Sequence, residues 1–303
     1  MNAISIKNLT KEYNGSKAVN NLTLNVKKGE ILGFLGPNGA GKTTTINCIS
    51  QLANMTRGSI IVNGFDIEKD YVEAKKQIGL SPQEISRDHY FKIKDILQYQ
   101  AGYFGIRKQE AIDKATKLLK DFGLWDKKDK KLKELSGGMK RKLSLAKALI
   151  HDPKILILDE PTAGLDVDTR YELWTLIKDL KKKGITIILT THYIEEAEKL
   201  SDRIGIISRG DLIKLDNTKS IMDDLSQNVI KIYLTSEKKI GKLSDLAFEQ
   251  EKSVIKIKTN RKEQNKHLNK ALQSLARQKV DIKNFDIEQD NLENIFRRLV
   301  YEK

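Results

Sequence analysis

The sequence predicts an α/β protein: buried parallel strands alternate with helices, an antiparallel β subdomain precedes them, a helical subdomain interrupts them, and a small α+β module follows. Three observations carry this prediction. Residues 31–35 read as a short apolar strand that passes through a glycine-rich turn, Gly36 to Thr44, into a helix beginning near Thr45. The apolar runs at 155–158 and 185–190 end in Asp159-Glu160 and Thr191-His192, as fully buried parallel strands do at their carboxyl edge. From about residue 221 such runs give way to strands of period two and amphipathic helices.

Taken in order, Ile4 and Ile6, then Leu22, Leu24 and Val26, alternate as half-buried antiparallel strands do, with a turn at Asn14-Gly15. Arg57 to Gly64 is a further strand bounded by turn residues, and residues 76–83 read as a strand that stops at a proline turn with Gln83 last. Helical periodicity dominates 93–121 and resumes from Met139 to Ile150, where Ser136 can cap the helix start. A helix is expected from about Asp168 to Lys182, and Arg203–Ser208 with Asp211–Leu215 form a closing hairpin around Arg209-Gly210. The tail reads as a ββαβα module: strands at 228–234, 254–259 and 281–287, a helix at 262–279, and a last helix that Asp290 and Glu293 begin as a capping box. The resulting domains are 1–220, with a helical subdomain at about 85–150, and 221–303.

Gly36-Pro37-Asn38-Gly39-Ala40-Gly41-Lys42-Thr43-Thr44 fits the phosphate-binding pattern G-x-x-x-x-G-K-[ST] in the strand–turn–helix context it requires. Such a loop turns successive backbone N–H groups inward, and with the helix dipole it seats phosphate oxygens. Lys42 would then lie between the outer two phosphates of a nucleoside triphosphate, and the Thr43 hydroxyl would ligate Mg²⁺. Ligands in such sheets bind beyond the carboxyl ends of the strands. Asp159 is therefore placed to reach the same Mg²⁺, Glu160 to orient or deprotonate a water, and His192 to touch a phosphate. Ser136-Gly137-Gly138, at the head of another helix, is a second potential anion seat.

Composition sets bounds on partners. Charged residues make up 32% and no run approaches the roughly 18 apolar residues of a membrane span. The first residues enter a strand without a signal-peptide core, and the single Cys48 can form no internal disulfide; both favour a cytoplasmic protein. The net charge of +14 raises nucleic acid or anionic lipid as partners, but it is spread evenly, +4 over 221–303 and +10 over the rest. The densest run, Lys127 to Lys133, contains no aromatic side chain and reads as a solvated face.

With these pieces in this order, residues 1 to about 220 resemble the ATP-binding subunit of ATP-binding-cassette (ABC) transporters, an ABC ATPase of the P-loop NTPase class. Gly36 to Thr44 matches the Walker A loop, Gln83 the Q-loop glutamine, Leu135 to Met139 the family signature, Ile155 to Glu160 Walker B with its glutamate, Ala163 to Asp166 the D-loop, and His192 the switch histidine. Tyr13 falls where the family places an aromatic that stacks on adenine. The usual signature ends in glutamine, and Met139 departs from it. Thr191 to Glu198 and Asn291 to Phe296 look like the ABC-2 type, drug- or antibiotic-exporting branch.

The resemblance implies a cofactor set of ATP and Mg²⁺, the metal being held by Thr43, Gln83 and Asp159. Hydrolysis would depend on Glu160, His192, Gln83 and Lys42. It implies a head-to-tail homodimer, in which Ser136, Gly137, Gly138 and Asp166 complete the partner's nucleotide site. It also implies a separate transmembrane permease, and a position on the cytoplasmic face of the membrane. No nucleic-acid partner is expected. The alternative is a soluble ABC ATPase acting on nucleic acid or the ribosome, which the basic charge favours. Against it stand the lack of a long insertion between Walker A and the signature, of a second cassette and of zinc cysteines. A ligand-sensing role for the tail is a third possibility.

Overall fold

The structure, a computed structural model, describes residues 1–84 and 90–302. The contacts divide it into two compact units, Met1–Leu215 and a second unit that starts at Asp216. The expected boundary at about 220 lies a few residues further on, inside a helix, Thr218–Leu225.

The first unit begins with β1 (Asn2–Tyr13) and β2 (Ser16–Lys27), then β3 (Ile31–Leu35), α1 (Lys42–Ile49), β4 (Arg57–Val62), β5 (Phe65–Asp66), α2 (Tyr71–Lys76) and β6 (Ile78–Ser81). Next come α3 (Ile93–Tyr103), α4 (Lys108–Asp121), α5 (Gly137–Leu149), β7 (Ile155–Asp159), α6 (Val167–Lys182), β8 (Thr186–Thr191), α7 (Ile194–Leu200), β9 (Arg203–Ser208) and β10 (Asp211–Asn217). Asn14 and Gly15 both have positive φ, as do Arg209 and Gly210. Each pair makes the two-residue turn whose twist matches a hairpin.

Two sheets result. One is antiparallel in the order β2-β1-β4-β5, and the other runs β10-β9-β3-β8-β7-β6. In the latter β9, β3, β8, β7 and β6 pair in parallel. Strand β7 shows how sequence sorts into layers. Ile155 and Ile157 enter a core shared with the antiparallel sheet and α1, whereas Leu156 and Leu158 enter a core with α3–α6. Both faces are covered, so the strand is a continuous apolar run; each fully buried Leu or Ile there contributes roughly 1.5–3 kcal/mol. Helices α3, α4 and α5 form the helical region, whose expected start at about 85 lies outside the described residues.

The second unit holds α8 (Thr218–Leu225), β11 (Asn228–Leu234), β12 (Glu249–Glu251), β13 (Val254–Thr259), α9 (Gln264–Arg277), β14 (Ile282–Glu288) and α10 (Leu292–Tyr301). Its sheet has the order β12-β13-β11-β14, and Ile230, Ile232, Ile255 and Ile257 share a core with Ala271 and Leu275 of α9. Helix α8 and strand β12 are additions to the expected ββαβα order. The expected capping box is also corrected. Asn291, not Asp290, caps α10, accepting from Asn294 N at 2.9 Å. Asp290 is buried and instead receives Arg298 Nη2 at 2.6 Å and Gln227 N at 2.8 Å, which ties α10 to the start of β11.

Candidate active site

The phosphate loop, residues 36–44, leaves the carboxyl end of β3 and enters α1. Gly41 has φ +103, and a Cβ there would come 2.4 Å from the Ala18 carbonyl oxygen of β2, so a side chain is excluded twice over. The β9–β10 turn braces the loop from outside, Gly210 N donating to Ala40 O at 3.0 Å. Lys42 is only 5% exposed, and its Nζ donates to the carbonyls of Gly36 (2.7 Å) and Pro37 (3.1 Å). Burial pushes the Lys42 ammonium below its ordinary range, while Glu160 and Asp159 pull it back up.

Strand pairing sets the next layer. Asp159 lies opposite Thr190 across the β7–β8 ladder. The Thr190 hydroxyl hydrogen-bonds Asp159 Oδ1, and Thr43 Oγ1 donates toward both Asp159 oxygens at 3.3 and 3.1 Å. Glu160 leaves the ladder with φ +47, a left-handed conformation that costs a non-glycine residue about 1 kcal/mol or more. Its amide still donates to Thr190 O at 3.1 Å, and its carboxylate gathers side chains from three other segments. Gln83 Nε2 donates to Oε2 at 3.0 Å, His192 Nδ1 lies 3.2 Å from Oε1, and Lys42 Nζ lies 4.0 Å from Oε1. Buried Arg141 of α5 donates to Pro82 O at 3.1 Å and so fixes the turn that presents Gln83. Burial pushes its guanidinium below the usual range, and Asp159, Glu160 and Glu196 oppose that shift.

Lys42, Thr43, Gln83, Asp159, Glu160 and His192 are thus brought together from four separate stretches. Ser136, Gly137, Gly138 and Asp166 form a different place. Ser136 Oγ accepts from Met139 N at 3.3 Å and caps α5, leaving the first amides of that helix without intrahelical partners. A Cβ on Gly138 would meet Thr169 Cγ2 of α6 at 2.4 Å. Asp166 caps α6, accepting from Thr169 N (2.9 Å) and Oγ1 (2.8 Å), contacts that hold its carboxyl below the usual carboxylate range. Among the described residues, no hydrogen bond or ion pair joins these groups to the phosphate loop. Met139 packs against the core of the helical region. Tyr13 ends β1, 46% exposed, with Lys11 Nζ 4.6 Å above its ring.

Thr190, Arg141 and the buried pair Thr162–Glu196 are contributors that sequence reasoning missed. Only Thr190 had a signal: it precedes Thr191-His192 at the end of a central strand, on the rung of Asp159. Lysines of the 127–133 run are engaged, Lys128 over the Trp125 ring at 4.3 Å and Lys133 over Tyr90 at 5.6 Å. Asp129 accepts Lys94 at 2.7 Å.

The oxygens of Thr43 and Asp159, 3.1 Å apart with the loop amides beside them, suit a Mg²⁺ that takes its other oxygens from phosphate and water. A parallel sheet with this loop, a carboxylate pair at the end of β7, one strand removed from β3, and a separate capped glycine helix defines a nucleotide-hydrolysing cassette. The chain belongs to the ABC transporter family, whose ATP-binding subunits couple ATP hydrolysis to transport; the family model described as ABC transporter matches residues 19–163. It is 32% identical to the linearmycin resistance ATP-binding protein LnrL of Bacillus subtilis (strain 168), over 98% of this chain and 97% of that protein. It is likewise 32% identical to the daunorubicin/doxorubicin resistance ATP-binding protein DrrA of Streptomyces peucetius, over 98% and 92%. The Nod factor export ATP-binding protein I of Burkholderia orbicola is 40% identical over 76% of each chain. Among solved structures, a dimeric post-hydrolysis ATP-binding cassette bound to ADP and Pi aligns with TM-score 0.65 and 27% identity. That alignment covers 71% of this chain and 98% of that one.

Proposed function

We propose that this chain is the motor subunit of an exporter, binding ATP with Mg²⁺ and closing head to tail on a second copy of itself. The observation that carries this is the separation of two complementary seats on one unit. One is a wired cluster at Lys42, Thr43, Asp159 and Glu160, and the other is an open helix end at Ser136.

In this reading the amides of residues 36–44 cradle the phosphates and Lys42 leaves its loop carbonyls for the outer two. Thr43, Asp159 and Gln83 would hold Mg²⁺, which would supply neutralisation of phosphate charge. Glu160 takes a proton from the attacking water, and His192 holds the terminal phosphate. Tyr13 stacks on adenine. Ser136, Gly137, Gly138 and Asp166 act on the partner's nucleotide. Catalysis is then positioning plus charge neutralisation.

A groove of 410 Å³ beside Gln83, lined by Leu80, Pro82, Gln100, Phe104 and Leu143 among others, would receive a permease segment. In this reading the permease is a separate chain and this subunit sits on the cytoplasmic face of the membrane; among the described residues no helix is long and apolar enough to cross a membrane. Names of the similar proteins, resistance to linearmycin and daunorubicin and Nod factor export, support an exporting transporter.

Light scattering of Glu160→Gln with and without ATP tests the scheme. The expected result is an ATP-dependent doubling of mass; a mass that stays monomeric at saturating ATP contradicts it.

A further inference from the structure

Behind the catalytic cluster lies a buried carboxylate that the scheme above does not use. Glu196 of α7 is 0% exposed. Its Oε1 accepts from Thr162 Oγ1 at 2.8 Å and from Trp174 Nε1 at 3.1 Å, while Oε2 has no hydrogen-bond partner. The Thr191 hydroxyl also favours its ionised form, as does the charge of Arg170. Burial pushes the carboxyl above the usual range against these contacts. A leucine would fill this volume without the desolvation cost, so the carboxylate is present for its geometry or not needed at all.

Glu196 and its partners mark three segments. Thr162 lies just beyond Glu160, Trp174 belongs to α6, the helix that Asp166 caps, and Glu196 itself stands on α7, which begins just after His192. Up to Asp159 and Thr190 the β7–β8 ladder fixes the separation of the two chains. The Glu160 amide makes the last rung, and Glu160 then turns into a left-handed conformation. Beyond that point no ladder holds residues 160–162 against 191–193, yet Glu160 and His192 meet at 3.2 Å. Glu196 spans this gap from behind.

We infer that Glu196 is a positioning residue for ATP hydrolysis: its hydrogen bonds continue the strand pairing past the end of the ladder and keep Glu160 and His192 in reach of each other. This rests on the reading of those two residues as the hydrolytic pair. The phosphate loop has its own braces, Gly210 N on Ala40 O and the packing of Gly36 on the Ile207 carbonyl. Loss of the Glu196 contacts therefore loosens the hydrolytic pair without disturbing the nucleotide seat.

The test is steady-state ATPase kinetics beside direct titration with ATP, on the full chain. A misplacement of about 1 Å costs on the order of 100-fold in rate. Glu196→Leu is expected to lower kcat about 10- to 100-fold with the Kd for ATP changed by less than about threefold. Glu196→Gln keeps an acceptor oxygen for Thr162 and Trp174, and its kcat is expected within about threefold of wild type. Thr162→Val, nearly isosteric, removes one donor; it should lower kcat in the same direction and add little on top of Glu196→Leu.

An unchanged kcat in Glu196→Leu would overturn the inference, as would a Kd that weakens in step with kcat, or a glutamine variant as impaired as leucine. If Glu196→Leu does not fold, Thr162→Val and Trp174→Phe decide the matter: wild-type kcat in both contradicts it. A wild-type protein that binds ATP without hydrolysing it removes the parent reading and this inference with it.

Discussion

Around the phosphate loop, Lys42 rests on two carbonyls, Thr43 and Thr190 bond Asp159, and Gln83 and His192 converge on Glu160. At the head of α5, by contrast, Ser136 and Gly137 are exposed, and the Ser136 side chain bonds only within its own helix. One place is a pre-organised cluster in which charged and polar groups satisfy one another. The other is a bare set of helix amides, with no acidic or basic side chain in the stretch 135–139. The difference teaches where the cost of assembly falls. In the proposed scheme the cluster binds and polarises the nucleotide with groups already in place, whereas the helix end gains partners only when an anion is brought to it.

Four substitutions break or sharpen this contrast, from the largest expected effect down. Glu160→Gln keeps the shape of the cluster but removes its base, so single-turnover hydrolysis should fall by roughly 10²–10⁴, the range for a lost general base, while ATP still binds. Retained turnover would show that the cluster does not house the base. Lys42→Ala removes the cation that bonds the loop carbonyls; the Kd for ATP should weaken about 100-fold by isothermal titration, the upper end for a charged hydrogen bond.

Gly138→Ala acts on the bare side, where its Cβ strikes Thr169 Cγ2. Hydrolysis should drop about tenfold through misplacement of α5 against α6, with monomer ATP affinity kept. Thr169→Ser, which removes that methyl yet keeps the hydroxyl that bonds Asp166, should recover most of the loss. No recovery would mean that the glycine is required by something outside its own chain. Met139→Gln restores the family's usual residue but withdraws a side chain packed on the helical core. It should cost about 1 kcal/mol in urea unfolding and change hydrolysis by less than about threefold.

Both places were legible where a motif fixes the residues, the Ser136 cap of α5 as much as the phosphate loop. Walker A, the carboxylate pair and His192 announce themselves because each is a fixed residue type at a strand end, and strand ends follow from continuous apolar runs such as Ile155–Leu158. Arg141 and Glu196 gave no such signal. One sits in a lysine-rich helix start and the other in a run of glutamates on a helix of seven residues, and only the fold shows that both are buried. Helix α8 was missed because its eight residues span barely two turns, too short a stretch for a helical period to stand out. The start of α10 was misassigned by one residue because Asp290 and Asn291 are both good caps. Tertiary context, the Arg298–Asp290 pair, made the choice between them.

In the proposed dimer the bare helix end finds its anion on a second copy. ATPase activity per chain, measured from nanomolar to tens of micromolar protein alongside mass by light scattering, tests this most directly. The expected result is a specific activity that rises with concentration and plateaus as the ATP-bound dimer forms. A specific activity that stays constant while the protein remains monomeric throughout would contradict it.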